Sequence, residues 1–201
     1  MSALRRDLAI IADWIAPGSR VLDLGCGDGA LLAHLAEQRQ VRGYGLEIDD
    51  TKVARCIEAG VNVIQADLDD GLRDFETDSF DYVLLTQTLQ ALQRPDDAIE
   101  EILRVGKRAI VTFPNFGHWR VRAALLAGRM PMTRSLPATW YDTPNIHLCT
   151  VGDFEALCAE RGWQIRQRQM LDSQHSAGPL IRVSPNLFCE IAMYLLDDLP
   201  A

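Results

Sequence analysis

Nine residues, 21–29, constrain this chain more than all the rest of it. They read Val-Leu-Asp-Leu-Gly-Cys-Gly-Asp-Gly, and a helical pattern of Ala30, Leu31, Leu32 and Leu35 follows. An apolar strand that feeds a glycine turn and then a helix leaves the first helical N–H groups facing whatever the missing side chains admit. The spacing alone leaves two ligands open, because Gly25, Gly27 and Ala30 also satisfy the Gly/Ala form of the dinucleotide pattern. The acids separate them. Asp23 precedes the turn and Asp28 lies within it, where a pyrophosphate would meet like charge. A nucleoside with a cationic end and no phosphate would find both carboxylates favourable, and S-adenosylmethionine (SAM), with its sulfonium and ammonium groups, has that character. The bland alternative is a structural glycine turn in some other α/β protein.

Composition excludes several classes. A length of 201 residues suits one domain, 1–201, and 48% hydrophobic residues are enough for a real core. The formal charge of -8 argues against a chain built to hold polyanions or acidic membranes. No apolar run approaches the roughly 20 residues of a membrane span. The first residues lead into Leu8-Ala-Ile-Ile-Ala-Asp-Trp, which acids interrupt, so they predict an amphipathic first helix ending before Pro17 rather than a signal peptide. The five cysteines, at 26, 56, 149, 158 and 189, include no pair with the gap of a metal knuckle. They read as free thiols in a reducing cytoplasm, with no metal site.

Strands and helices alternate along the chain. Strands are predicted at 19–24, 42–48, 61–66, 80–85 and 108–113, with two final ones at 163–171 and 187–195. The last run could equally be a short helix, because periodicity does not separate the two for apolar runs. Helices are predicted at 31–39, from an Asp50 cap to Gly60, from Pro95 to Val105, and at 151–161 before Gly162. Such alternation implies a mostly parallel sheet covered on both faces, an α/β fold.

Ligands of such sheets bind at the carboxyl ends of the strands. The second strand ends in Glu47 and Ile48, about 20 residues beyond the glycines, where a carboxylate can accept from both ribose hydroxyls. The third ends in Asp67 and Leu68, an acid for an adenine amino group and a backbone N–H for the ring. The fourth ends in Gln87, near a cofactor's methionine end. Each alone is weak, since an acid at a strand end is commonly a helix cap, as Asp49 and Asp50 are expected to be. Four in order are harder to obtain by chance. Cys26 either faces the ligand or is simply small enough for a crowded loop, and the second reading is favoured.

The set Asp23, Gly25, Gly27, Gly29, Glu47, Asp67-Leu68 and Ser79-Phe-Asp81-Tyr resembles the class I SAM-dependent methyltransferases over roughly residues 17–113. The resemblance implies a doubly wound, Rossmann-like sheet of seven strands with the last antiparallel. It implies that Asp23, Gly25, Gly27 and Gly29 hold the methionyl portion, Glu47 the ribose, and Asp67 with Leu68 the adenine; the turn and strand ends add Cys26, Ile48 and Gln87 to the expected cofactor set, and no catalytic residue is named. Over the whole chain the sequence is similar to the MetW family of methionine biosynthesis proteins. That likeness rests on 21–29, on Thr86-Gln-Thr-Leu-Gln-Ala-Leu, on Val111-Thr-Phe-Pro-Asn-Phe-Gly-His-Trp119, and on Trp140-Tyr-Asp-Thr-Pro-Asn-Ile-His147. It implies homoserine O-acyltransferase as a partner that the protein supports or regulates. Ala91 departs from a histidine expected in related Gln-x-Leu-x-His patterns.

Segment 114–150 reads as a lid or interaction segment. It carries His118, Trp119, Trp140, Tyr141 and His147, with Arg120, Arg122, Arg129 and Arg134 against the single acid Asp142. A local basic excess in an acidic chain suits an acidic partner surface or an anionic substrate, whereas the plainer reading is a lid with solvated arginines. Two functions of different class follow. One is a SAM-dependent methyltransferase acting on a small molecule, with His118, His147 or Asp142 as proton acceptor. The other, favoured by the resemblance, is an accessory subunit that keeps a SAM site and involves neither nucleic acid nor membrane.

Overall fold

The alternation read from the sequence becomes a seven-stranded sheet in the computed structural model, which describes residues 4–133 and 135–197. The elements are α1 (Arg6–Trp14), β1 (Arg20–Leu24), α2 (Ala30–Arg39), β2 (Arg42–Glu47), α3 (Asp50–Glu58), β3 (Asn62–Gln65), β4 (Tyr82–Thr86), α4 (Pro95–Val105) and β5 (Ala109–Pro114). They continue as α5 (Trp119–Leu126), α6 (Val151–Arg161), β6 (Gln164–Leu171), α7 (Pro179–Val183), α8 (Pro185–Phe188) and β7 (Ile191–Asp197). The strand order is β3-β2-β1-β4-β5-β7-β6, and β7 runs antiparallel to both of its neighbours. The expected doubly wound sheet with an antiparallel last strand is therefore present.

Burial explains the arrangement. On one face Ile11 of α1, Leu31 and Leu35 of α2, and Cys56 of α3 pack on Val21, Leu84 and Ile110. On the other, Ile99 and Ile102 of α4 and Phe154 and Cys158 of α6 pack on Leu22, Val83, Leu85 and Val111. Side chains buried on both faces contribute about 1.5–3 kcal/mol each, which is why β4 and β5 read as nearly continuous apolar runs. Among the described residues no helix is long and apolar enough to cross a membrane.

Three boundaries differ from expectation. The run 187–195 is neither strand nor helix throughout: Pro185 opens the single turn α8, and the chain re-enters the sheet only at Glu190, whose N–H donates to Leu171. The cap of α3 is Asp49, whose carboxylate accepts from the N–H groups of Thr51 and Lys52, and Asp50 is the first helical residue. Phe80 makes only an isolated bridge to Gly106 before β4 begins.

Candidate functional site

At the end of β1 the chain turns through three left-handed glycines, Gly25, Gly27 and Gly29, with φ of +72°, +62° and +75°. Side chains are strained in that region, so glycine is the residue the turn admits. Leu46 of β2 accepts from both Gly25 and Cys26 N–H, at 2.8 and 3.0 Å, which fixes the turn over the second strand. The three glycines face different surroundings. A methyl at Gly25 would lie 2.8 Å from Thr88 Oγ1, and one at Gly29 3.1 Å from both Cys56 Sγ and Val61 Cγ2. At Gly27 it would meet nothing within 4 Å. The space above Gly27 is open to a ligand.

Two carboxylates, one from each of the first two strands, stand at this turn. Glu47 is buried; its Oε2 accepts from Gly27 N–H at 2.9 Å, and its Oε1 from Ile48 and Asp49 N–H at 3.0 and 3.1 Å. Asp23 is 2% exposed, and its Oδ1 has no hydrogen-bond partner. Burial, reinforced by the charge of Glu47, pushes the Asp23 carboxyl up to about 7. An unpartnered buried carboxyl costs several kcal/mol unless something pairs with it. Its persistence beside a second acid and an open glycine fits a cationic group of a ligand at this point.

Cys26 does not face the open side. Its sulfur lies 3.7 Å from Cys56 Sγ, and it packs so closely on Gly45 that a methyl there would overlap it. Ile48 is exposed just beyond Glu47. Asp28 is exposed, and its Oδ1 accepts from Ala30 N–H at 3.2 Å, so it also serves the start of α2. Farther along the strand ends, Asp67 accepts from Asp69 N–H and caps the short 3-10 turn Leu68–Asp70. Asp67, Leu68, Leu24, Leu85 and Leu92 line a cleft of about 660 Å³ together with charged residues such as Arg73, Arg94 and Asp97. Within it, an acid and a backbone turn beside Leu24, Leu85 and Leu92 suit a purine ring.

Gln87 follows β4 in the left-handed region, φ +55°, which is uncommon for a side-chain residue. Its N–H donates to Thr112 O and Oγ1, both at 3.0 Å, and its side chain reaches Asp7 Oδ2 at 3.5 Å. Asp7 is buried at the head of α1, where Arg5 clasps both of its oxygens, at 2.9 and 2.7 Å, and His175 Nε2 lies 3.7 Å away. Burial works against ionisation there, but Arg5 outweighs it and holds the Asp7 carboxyl below the usual range. Sequence reasoning missed Arg5, Asp7 and His175. An acid in the first turn of a helix reads as a solvated one, and only the tertiary contacts bury it.

The expected proton acceptors are each otherwise engaged or exposed. His118 is buried, and its Nδ1 accepts from Arg120 N–H while capping α5. Burial and the Arg120 charge push its imidazole below the ordinary value, and Nε2 faces Glu190 Oε1 at 4.0 Å. His147 Nε2 lies 3.1 Å from the carbonyl of Gln93, and Asp142 is exposed. Trp119 and Trp140 are both exposed, at 46% and 71%. Arg120 lies 3.8 Å from Glu190 and Arg122 donates to Gly117 O, whereas Arg129 is exposed and Arg134 lies outside the described residues.

The model of the family described as methionine biosynthesis protein MetW matches residues 5–196. The bifunctional methionine biosynthesis protein MetXA/MetW of Rhodopirellula baltica is 32% identical over 208 residues, covering 94% of this chain. The match covers 32% of that relative, so the chain spans about a third of its length. Among solved structures, a SAM-dependent methyltransferase from Archaeoglobus fulgidus matches with a TM-score of 0.69 at 16% identity, covering 96% of this chain and 91% of its own. Phosphoethanolamine N-methyltransferase 2 of Haemonchus contortus, in complex with SAM, matches with 0.69 at 16% identity, covering 96% and 52%. At these identities the structural likeness identifies the fold, which is that of the class I SAM-dependent methyltransferases.

Proposed function

The chain belongs to the MetW family of methionine biosynthesis proteins, and on that premise we propose that it is a SAM-binding accessory of homoserine O-acyltransferase. The observation that carries the cofactor reading is Asp23: a buried, unpartnered carboxyl beside Glu47, on the strand that leads into the turn of the open Gly27. In this reading Asp23 and the glycine turn hold the cationic methionyl end. The lone pairs of Glu47 left over from its three N–H bonds accept from the ribose, and Asp67 with Leu68 borders the adenine. Cys26 contributes its place in the turn rather than its thiol. Gln87 is the floor at the methionine end, and Ile48 a flank of the ribose. Bound SAM would supply a methyl sulfonium and, for an accessory, the signal that the pathway's end product is abundant.

The partner reading is supported by the Rhodopirellula relative, whose name places MetXA and MetW in one chain; we take MetXA as its acyltransferase part. The surface is supported by the exposed apolar side chains of 119–148, among them Leu126 at 90%, Trp140 at 71% and Tyr141 at 73%. Tryptophan and arginine are the residues most often found at interface hot spots. The test is co-expression with the acyltransferase, size-exclusion chromatography and an acyl-transfer assay. Co-elution with raised acyl transfer is expected. Separate elution with unchanged activity would put the small-molecule methyltransferase first, a reading that the fold also supports.

A further inference from the structure

The loop between β4 and α4, residues 87–93, touches the glycine turn on one side and the exposed segment 140–148 on the other. Thr88 lies against the turn, where its Oγ1 would be 2.8 Å from a methyl at Gly25. Two residues further on, Gln90 faces both ways. Its Nε2 donates to the carbonyl of the left-handed Gln87 at 2.6 Å. Its own carbonyl accepts from Ile146 N–H at 2.9 Å and His147 N–H at 3.0 Å. The His147 ring closes a second tie to the same loop, with Nε2 3.1 Å from the Gln93 carbonyl; a carbonyl only accepts, so the ring hydrogen sits on Nε2. Gln90 Oε1 is buried with no partner, so this side chain is held by its donor end alone.

We propose that Gln90 is a positioning residue that couples the cofactor site to the exposed face of 140–148, so that occupancy of the glycine turn sets how firmly that face is held. The inference rests on the SAM reading above and adds its route to the partner surface. The physical basis is the cost of order. Segment 140–148 carries Trp140, Tyr141, Ile146 and Leu148 to the surface, and its described ties to the sheet end run through this loop. A ligand seated at Gly27, on the turn that Thr88 packs against, restricts the loop at one end, and ordering the other end then costs less. The coupling is reciprocal: a partner that fixes 140–148 tightens SAM by the same factor.

Hydrogen exchange of the Ile146 and His147 amides in the full-length protein tests this, with and without saturating SAM, beside calorimetry of the same samples. SAM is expected to slow both amides about tenfold in the wild type, and less than about twofold in Gln90→Met, which keeps the length of the side chain but loses the donor. His147→Ala, at an exposed position, removes the second tie and should reduce the slowing at Ile146; it decides the matter if the Gln90 variant does not fold. Heat of SAM binding with unchanged amides in the wild type overturns the coupling and leaves the cofactor reading standing. Full slowing in Gln90→Met overturns the role of Gln90. Absence of SAM binding removes both.

Discussion

Gly27 and Glu47, 20 residues apart in sequence, are joined by a 2.9 Å hydrogen bond from the glycine N–H to the carboxylate. The bond fastens the turn after β1 to the end of β2, so the side chain expected to serve a ribose also builds the site. Glu47 therefore has two roles that one substitution separates in magnitude. Glu47→Gln should lower stability by about 1–3 kcal/mol, because its amide nitrogen would face an N–H donor. It should weaken SAM at least about tenfold, the effect of one charged hydrogen bond. Urea unfolding reads the first and calorimetry the second.

The three glycines predict different losses. Gly27→Ala meets open space, so its cost to stability is the left-handed strain, about 1–2 kcal/mol, while the methyl occupies the ligand's space. Gly29→Ala adds contacts with Cys56 and Val61 at 3.1 Å and should destabilise more. Binding lost in a folded Gly27→Ala, with the larger thermal shift in Gly29→Ala, is the expected pattern. Equal SAM affinity in wild type and Gly27→Ala would move the ligand elsewhere.

Asp23 makes stability fall with rising pH. Its carboxyl titrates at about 7 in the fold against an ordinary 3.8, so its contribution is complete below about 3.8 and is lost as pH rises through about 7. A shift of that size corresponds to on the order of 4 kcal/mol. Asp23→Asn should therefore be more stable than wild type at pH 8 by roughly 2–4 kcal/mol, with no advantage near pH 4, in urea unfolding across pH. The same variant should bind SAM poorly. In the wild type, affinity should rise with pH up to about 7, because a cationic ligand favours the ionised carboxyl.

Nucleotides carrying pyrophosphate should not compete. Asp28 at the turn, joined by Asp23 where it ionises above about pH 7, repels phosphate, and Asp7 already clasps the Arg5 guanidinium that feels the Asp28 charge. Displacement of bound SAM by equimolar NAD would show that the acids were misread.

For the partner, Trp140 is the better probe. Arg120 lies beside the buried Glu190 and Arg122 holds Gly117 O, so reversing either charge disturbs the fold as well as the surface. Trp140→Ala at 71% exposure should leave the melting temperature within a few degrees and weaken co-elution with the acyltransferase by 2 kcal/mol or so if it is a hot spot. Unchanged co-elution would place the contact on another face.

The sequence by itself determined the sheet and the line of strand ends. Glycine at 25, 27 and 29 leaves little but a left-handed turn, and the apolar runs of β4 and β5 suit only strands covered on both faces. Asp23, Glu47 and Asp67 were legible because their types stand at the ends of successive strands. Tertiary structure alone decided what each does there. Glu47 bonds the turn and Asp23 is left unpartnered; Cys26 turns into the core against Gly45, which has no side chain to exclude it. The same holds for Asp7, where Gln87 and His175 arrive from distant parts of the chain to join the neighbouring Arg5. It holds also for the split of 187–195, where Pro185 and the pairing of Glu190 with Leu171 outweigh local apolar periodicity. Local pattern specifies which backbone forms, because that depends on neighbours a few residues away. Whether a charge ends buried, paired or alone depends on long-range packing, which a linear pattern does not contain.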